Sequence, residues 1–280
     1  MSGASAQTLQ RPDMGKLLAT GGVSQIEGAG GGGLVPWALI SGYGTRDSYG
    51  ANLHVTAVAT QDYALDSVGA AVGINDRVEL SLATQSFKGT GGPLNDVKIK
   101  QDIFGIKVKV IGDAVYDQES ALPQIAIGAM IKQNRGITGL GAITNVKDVG
   151  AKSDRGVDYY IAATKILLDQ SLLINGTLRA TKANQLGILG FGGDLHNRYQ
   201  AMAELSAAYL INRQWAAGVE YRMKPKNLGA DKEKDYYDVF IAYFPTKNFS
   251  ITAAYAVLGD ITVFNPKNQK GAYLSAQIGF

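Results

Sequence analysis

The sequence of 280 residues contains no cysteine and only two histidines. Without cysteine, the chain has no disulfide framework, no thiolate metal site and no thiol nucleophile. Charged residues make up only 18% of the chain, below the usual quarter. The net charge of +3 is too small to indicate binding to nucleic acid or to an anionic membrane surface. We therefore expect no nucleic-acid partner.

No stretch of the sequence approaches the roughly 18 consecutive apolar residues of a transmembrane helix. The longest apolar piece, GLVPWALI, is interrupted by Pro36. Met1 is not followed by the basic and apolar regions of a signal peptide, yet ASA at 4–6, followed by Gln7, resembles the small-residue end of a cleavage site. We therefore expect an exported protein whose signal peptide has been removed. An ordinary flexible tail is the alternative.

What the sequence has is alternation of apolar and polar residues, which recurs from about residue 49 to the end. In RYQAMAELSAAYLI, Tyr199 and Leu205 share the apolar face, whereas Gln200 and Glu204 share the polar face. A period of two is typical of β-strands, and no segment shows a convincing helical period. The predicted strands lie near 49–62, 65–74, 77–88, 98–111, 123–134, 156–168, 171–183, 197–211, 214–225, 235–245, 248–258 and 270–280.

The connections between these strands alternate in length. Short connections fall at Asn75–Asp76, Asp169–Gln170, Asn212–Arg213 and Pro245–Asn248, with a longer one at 112–122. Long connections fall near 89–97, 135–155, 184–196, 226–234 and 259–269. Short turns at one rim and long loops at the other are the layout of a membrane β-barrel. We expect an all-β fold, a transmembrane antiparallel up-and-down β-barrel of about 12 strands over 49–280, preceded by a Gly-rich non-barrel segment over 1–48.

Alternation alone does not distinguish this barrel from a soluble barrel or a β-sandwich, because either face of the strands could be the inner one. Three features favour a barrel that spans a membrane over these soluble folds. The apolar face consists of small and aliphatic residues with aromatic residues near its ends, the other face carries glycine and long charged side chains, and an even number of strands closes without an edge. The aromatic residues that suit a girdle at the membrane interfaces are Tyr199, Tyr209, Trp215, Tyr221, Tyr237 and Tyr243.

The last ten residues, GAYLSAQIGF, alternate up to a terminal aromatic residue. Phe280, Ile278, Ala276 and Leu274 share the apolar face. This strand resembles the C-terminal membrane-assembly signal of bacterial outer-membrane proteins, which the barrel-insertion machinery reads. The resemblance implies a location in the bacterial outer membrane, in contact with its lipid. The short turns would then face the periplasm and the long loops would face outside.

Residues 7–48 do not alternate well and contain four consecutive glycines, Gly30–Gly33. We expect this segment to be either a lumenal plug or a periplasmic extension. Its block GKLLATGGVSQIEGAGGGGLVPWALISGYGT, with a barrel after it, resembles a proteobacterial family of outer-membrane proteins known mainly as a domain of unknown function. The resemblance covers nearly the whole chain. It implies location and architecture, and it carries over no activity and no binding residues.

Catalytic and metal-binding motifs are weak in this sequence. The glycine run lacks the Lys-Ser/Thr that closes a phosphate loop. His54 falls on the polar face of the first strand and His196 lies at the mouth of a loop, and nothing in the sequence pairs either with a serine and an orienting carboxylate. Lysines interleave Asp231, Glu233 and Asp235, which favours a solvated loop over a calcium site. We expect no enzyme activity, catalytic residue, metal or cofactor.

The remaining candidates face the lumen. The inward bases are Arg77, Lys107, Lys109, Lys132, Lys165, Arg179, Arg198, Arg222 and Lys224, and the inward acids are Glu79, Glu204, Glu220 and Asp238. Because bases outnumber acids, an open pore would favour anions. We expect a passive channel for small polar or anionic solutes, narrowed by the N-terminal segment and lined by Arg179, Glu204, Glu220, Arg222, Lys107 and Lys109. The alternative is a non-conducting barrel in which these charges pair and which acts structurally or through its long loops.

Overall fold

The computed structural model describes residues 16–280, and twelve long strands dominate it. Two short strands come first, β1 (Val23–Ser24) and β2 (Gly30–Gly31), and pair with each other. The long strands are β3 (Tyr49–Thr60), β4 (Tyr63–Ile74), β5 (Val78–Gly89), β6 (Lys98–Ile111), β7 (Gln124–Thr138), β8 (Arg155–Leu167), β9 (Leu172–Thr181), β10 (Gln200–Leu210), β11 (Trp215–Arg222), β12 (Tyr236–Thr246), β13 (Phe249–Gly259) and β14 (Gln269–Gly279). Between residues 16 and 280, no helix is long and apolar enough to cross a membrane.

The twelve long strands form a closed antiparallel barrel in which each strand pairs with its neighbours in sequence. The last strand closes the barrel on the first, with β14 pairing β3 from Gly271↔Thr60 to Gly279↔Asn52. Closure leaves none of the twelve strands with an unpaired edge, as a strand that crosses lipid requires. The prediction of an all-β, up-and-down transmembrane barrel is confirmed.

The connections separate into a short-turn end and a long-loop end. The short-turn end holds residues 75–77, 112–123, 168–171, 211–214 and 247–248, and the long-loop end holds 61–62, 90–97, 139–154, 182–199, 223–235 and 260–268. The tightest turns have residues that tolerate left-handed backbone: Asn75 and Asp76 have φ of 52° and 47°. The largest difference from the predicted strands is β7, which continues to Thr138 and shortens the loop after it.

Along each strand, successive side chains face the lipid and the lumen in turn. On β3, Leu53 and Val55 are more than half exposed, whereas Asn52 and His54, which alternate with them along the strand, are buried. The other strands also turn aliphatic side chains outward, and their inward faces carry the buried polar and charged side chains together with some apolar ones, such as Phe240 on β12. A soluble barrel would bury the aliphatic face instead, so this orientation is that of a barrel surrounded by lipid.

The outward aromatic residues lie in two bands. Tyr209, Trp215 and Tyr243 lie next to the short-turn end, where the rings of Trp215 and Tyr243 stack with centroids 4.3 Å apart. At the long-loop end, Tyr221 pairs with Tyr237 across β11 and β12, and Tyr199 precedes β10. Both bands occupy the ends of the apolar outer face, the depth at which aromatic side chains meet lipid headgroups. The interfacial girdle stays a prediction.

Residues 16–44, which we call the inner segment, run through the lumen and are almost entirely buried there. Its glycines allow close packing. A Cβ on Gly32 would lie 2.0 Å from Glu220 Oε1, and one on Gly31 would lie 2.3 Å from the carbonyl oxygen of Val35. A side chain at either position would collide with the wall or with the segment itself, so the glycine run fits a segment confined inside the barrel.

Gly128 on β7 provides a test of lumenal packing, because the ring of Tyr160 on β8 lies over it. A Cβ on Gly128 would lie 2.3 Å from Tyr160 Cζ, whereas one on Gly176 would meet only Leu205 Cδ2 at 3.9 Å. We expect Gly128→Ala to lower the free energy of unfolding by about 1–3 kcal/mol, since the methyl group overpacks the site. Gly176→Ala is the matched control and should be near neutral. Denaturant unfolding in detergent measures both, and equal losses would contradict this packing.

Candidate functional site

All six residues predicted to line the lumen lie on the inner face of the barrel. They come from four regions of the wall: β6, β9, β10 and β11. Each has at most 7% of its surface exposed; they are Lys107, Lys109, Arg179, Glu204, Glu220 and Arg222. They do not face an open channel, because the inner segment occupies the space in front of them.

The carboxylate of Glu27, in the inner segment, lies at the centre of a group of wall cations. Arg222 Nη1 donates to Glu27 Oε2 at 2.6 Å, Lys132 Nζ forms an ion pair with Oε1, and Arg179 Nη2 lies 3.7 Å from Oε2. Gln25 Nε2 adds a hydrogen bond to Oε2 at 2.6 Å. Three strands, β7, β9 and β11, therefore converge on one carboxylate of the inner segment.

Two wall carboxylates complete this charge cluster. Asp158 accepts from Lys132 Nζ at 2.6 Å and lies 3.5 Å from Arg179 Nη1. Glu204 accepts from Arg179 Nη2 at 3.2 Å, and Arg222 Nε lies 3.3 Å from its Oε1. Three cations thus meet three carboxylates, with every side chain at most 3% exposed. Removing one member of such a buried set leaves an uncompensated charge, which is strongly destabilising.

A second attachment holds the inner segment to β5 and β6. Glu79 accepts from the backbone N–H of Gly30 at 3.0 Å and from that of Ser41 at 2.9 Å. Its partner Lys107, 2.9 Å away, donates to the carbonyl oxygens of Gly30 and Leu39 at 2.9 and 2.6 Å. One buried ion pair therefore satisfies four backbone groups of a segment that has little secondary structure of its own.

Further contacts run around the rest of the wall. Glu220 accepts from the backbone N–H of Leu34 at 2.7 Å and from Ser206 Oγ at 2.9 Å. Trp37 Nε1 donates to the same serine hydroxyl at 3.0 Å. At the short-turn end, Asp76 pairs with Lys109 of the wall and, at 2.7 Å, with Lys16 of the inner segment.

Some of the central residues could not be found by strand alternation. Glu27 lies outside the barrel strands, so no face pattern marks it. Asp158 lies on β8, a strand whose phase is ambiguous in the sequence because Lys165 interrupts its apolar face.

Three inward predictions are wrong. Arg77 and Arg198 are exposed and lie in connections, where the alternation of a strand does not apply. Lys165 lies on the outward face of β8, opposite the exposed Ile174 of β9, and its Nζ donates to the carbonyl oxygen of Asp117.

The long-loop end is closed by the β9–β10 connection, which folds over the lumen. The backbone N–H of Gln185 donates to both carboxylate oxygens of Glu233 at 3.2 and 3.0 Å, and its side-chain amide donates to Asp231 Oδ1 at 2.6 Å. Lys224 Nζ donates to Gln185 Oε1 at 2.9 Å and pairs with Glu233 at the same distance. The carbonyl oxygen of Leu186 accepts from Lys132 Nζ at 3.0 Å, which joins this loop to the charge cluster.

The solvated loop expected around ADKEKD is therefore a wrong interpretation. Asp231 and Glu233 are buried, and the lysines between and after them, Lys232 and Lys234, are exposed. The segment is extended, so its acidic residues face inward and its lysines outward. Within residues 16–280, no group of three or more His, Cys, Asp or Glu residues could hold a metal ion. His54 is buried on β3, whereas His196 is exposed in the β9–β10 connection.

We expect the closure of the long-loop end to depend on the protonation of Asp231. Burial, and then the neighbouring carboxylate of Glu233, raise the pKa of Asp231 to about 10. Because this acid binds its proton more tightly in the closed structure than in the open one, closure weakens as the pH rises towards that value. We expect the hydrogen-exchange protection factors of Gln185 and Gly187 to fall between pH 7 and about 10.

The variant Asp231→Asn cannot ionise and should keep these protection factors constant over the same range. Asp169→Asn is the matched control, since Asp169 is exposed at the short-turn end, and it should behave like the unmodified chain. An equal fall in Asp231→Asn would show that another group opens the loop.

Comparison with solved structures identifies porins among the proteins with a similar fold. The NanC porin is 10% identical to this chain with a TM-score of 0.53, over 81% of this chain and 98% of the porin. The KdgM porin is 11% identical with a TM-score of 0.47, over 82% and 99%. Outer-membrane phospholipase A from Escherichia coli is 7% identical with a TM-score of 0.45, over 81% and 92%.

At 10% identity, the likeness to the NanC porin shows a shared fold, that of an outer-membrane β-barrel. No curated protein matches the chain. One family model matches residues 20–277, nearly the whole chain, and it includes most of the N-terminal block that carries the resemblance seen in the sequence. The chain therefore belongs to the family described as "Protein of unknown function (DUF3034)".

Proposed function

We propose that this protein is an outer-membrane channel for small polar solutes, carboxylates among them, and that the inner segment closes it. The observation that carries the proposal is the site of the Glu27 carboxylate, on which Lys132, Arg179 and Arg222 converge. When the inner segment moves out, these three cations face a vacant position that has already accommodated a carboxylate.

The way in which the inner segment is attached supports a lumen that is hydrated when open. Part of the attachment consists of the ion pairs and hydrogen bonds described above, and water can replace these when the segment leaves. Apolar residues of the segment, such as Leu34 and Trp37, also share an apolar cluster with the wall. A barrel interior that is permanently filled does not require buried ion pairs, because well-packed apolar residues often give at least the same stability. A polar wall behind a removable segment is what a solute pathway requires.

The charge of the wall supports modest rather than strong selectivity. Among the described residues, the barrel strands direct five bases and five acids into the lumen. At the charge cluster, however, withdrawal of Glu27 leaves three cations against Asp158 and Glu204. A local excess of positive charge attracts anions, as basic rings do in anion pores. We therefore place the preference for anions at this one level of the lumen.

The proposal includes a location and an orientation. The chain lies in the bacterial outer membrane after removal of a signal peptide, with its short-turn end towards the periplasm and its long loops outside. Lipid surrounds the apolar outer face. The barrel-insertion machinery reads the terminal strand, on which Leu274, Ile278 and Phe280 are about half exposed and Ala276 shares their face.

A non-conducting barrel with a structural or surface-interaction role is the second candidate. The observation that favours it is the completeness of the closure, with the charge cluster neutralised and the β9–β10 connection folded over the long-loop end. The two functions differ in one respect that an experiment can address: a channel requires the inner segment to move.

A disulfide between the inner segment and the wall tests this movement. A Cβ on Gly28 would lie 3.1 Å from the Cβ of Ala83 on β5, a few tenths of an ångström closer than the two Cβ atoms of a disulfide, and Gly28 has a φ of 99°. The bridge therefore needs a small shift of the segment backbone, and the unmodified chain has no cysteine that could interfere. In planar bilayers, we expect brief openings from the unmodified chain and from reduced Gly28→Cys/Ala83→Cys. The oxidised double variant should be silent, because the segment can no longer leave.

Gly28→Cys and Ala83→Cys alone serve as controls and should not respond to oxidant. Heat-modifiable migration shows that each variant is folded. Equal conductance of the oxidised and reduced double variant would overturn closure by the inner segment. No conductance from any folded form would overturn the channel and favour the structural role.

A further inference from the structure

The lumen contains an apolar cavity at its long-loop end. We propose that this cavity binds a small uncharged hydrocarbon-like molecule, of the size of a single aromatic ring or a short alkyl chain. This binding does not rest on the channel proposed above. It follows from the residues that the barrel places at one level of its inner face.

The inner faces of several strands change from polar to apolar as they approach the long-loop end. On β3, the inward residues run from Asn52 through His54 and Thr56 to Val58. On β5, they begin at Glu79 and end near Phe87. The inward-facing residues of the neighbouring strands at this level are also apolar: Leu65, Ile99, Ile137 and Leu258. Inward apolar residues depart from the polar lumen of a membrane barrel and so require an explanation.

Packing of these residues against one another does not fill the space between them. They enclose a cavity of about 80 Å³. In another protein, an apolar cavity of about 150 Å³ stays dry and binds benzene or xenon. The cavity in this barrel has the same chemistry and a size of the same order, so a compact apolar ligand suits it and a hydrated ion does not.

The cavity has a floor, a roof and a side that Phe264 covers. Ile26 and Leu34 of the inner segment form its floor, and Leu186 of the β9–β10 connection covers it from the long-loop end. Phe264, in the β13–β14 connection, also lines the cavity and is 55% exposed. Phe264 therefore lies between the cavity and the surface, and a displacement of this exposed side chain would give a ligand a route in from the long-loop side.

The polar side chains that border the cavity have partners, with one exception: the buried hydroxyl of Tyr273 has no hydrogen-bond partner among the described residues and lies next to Gly33 of the inner segment. Tyr63 Oη lies 3.3 Å from Thr262 Oγ1, Thr60 Oγ1 donates to Gln269 Oε1 at 3.0 Å, and Tyr236 Oη donates to the side-chain oxygen of Gln185. A ligand with its own charged or strongly polar group would have to break these bonds. The geometry therefore selects an uncharged apolar ligand.

Fluorobenzene is a suitable probe, observed by ¹⁹F NMR with the full chain in lipid nanodiscs and, separately, in lipid-free amphipol. We expect a saturable bound resonance in both environments, distinct from probe dissolved in the lipid. Val58→Phe should weaken binding by about tenfold or more, because the ring fills the cavity. Val68→Phe is the matched control: Val68 is 57% exposed on the lipid face of β4, and its replacement should leave binding unchanged.

A second filling variant, Val97→Phe, keeps the test valid if Val58→Phe does not fold, since Val97 lines the cavity from outside the strands. Absence of a saturable resonance in the unmodified chain would overturn the proposal. Equal loss of binding in Val68→Phe would also overturn it, by placing the probe at the lipid face. A resonance seen only in amphipol would show that lipid acyl chains occupy the cavity in a membrane, and would overturn the assignment to a small free molecule.

Discussion

The buried carboxylate of Glu27 is the interaction on which the lumen depends. A charge in this position is stable only because Lys132, Arg179 and Arg222 surround it and because Asp158 and Glu204 balance those cations. The five wall residues lie on five consecutive strands, β7 to β11, so one side chain of the inner segment links nearly half of the barrel wall. Without Glu27, the same wall would carry an uncompensated buried positive charge.

This arrangement follows from the size and environment of the barrel. Lipid outside requires an apolar outer face, and the strand period of two then places the polar residues inside. Twelve strands enclose more space than eight, whose side chains can fill the interior, and less than the sixteen of an aqueous channel. The inner segment fills the space that the wall side chains leave along most of the length of the lumen. Near the long loops the wall becomes apolar, and a cavity remains above Ile26 and Leu34.

Strand alternation was enough to predict the barrel, the strand bounds to within a few residues, the two unlike ends and the inward position of Arg179, Glu204 and Arg222. Each of these depends on a local period. The contacts of the inner segment depend on which residues meet across the lumen, and its sequence has no period to show them. The ADKEKD stretch shows the same limit: its alternation is visible in the sequence, but only the fold of the loop reveals that Asp231 and Glu233 face inward.

Hydrogen exchange of the inner segment in lipid nanodiscs tests the central claim most directly. The backbone N–H groups of Gly30, Leu34 and Ser41 donate to buried wall carboxylates, so we predict strong protection of these amides in the unmodified chain. Glu27→Gln should lower that protection, whereas Glu119→Gln, at an exposed position of the short-turn end, should not. Exchange of these three amides at the rate of an unstructured chain would contradict the account, because the segment would then lie outside the lumen.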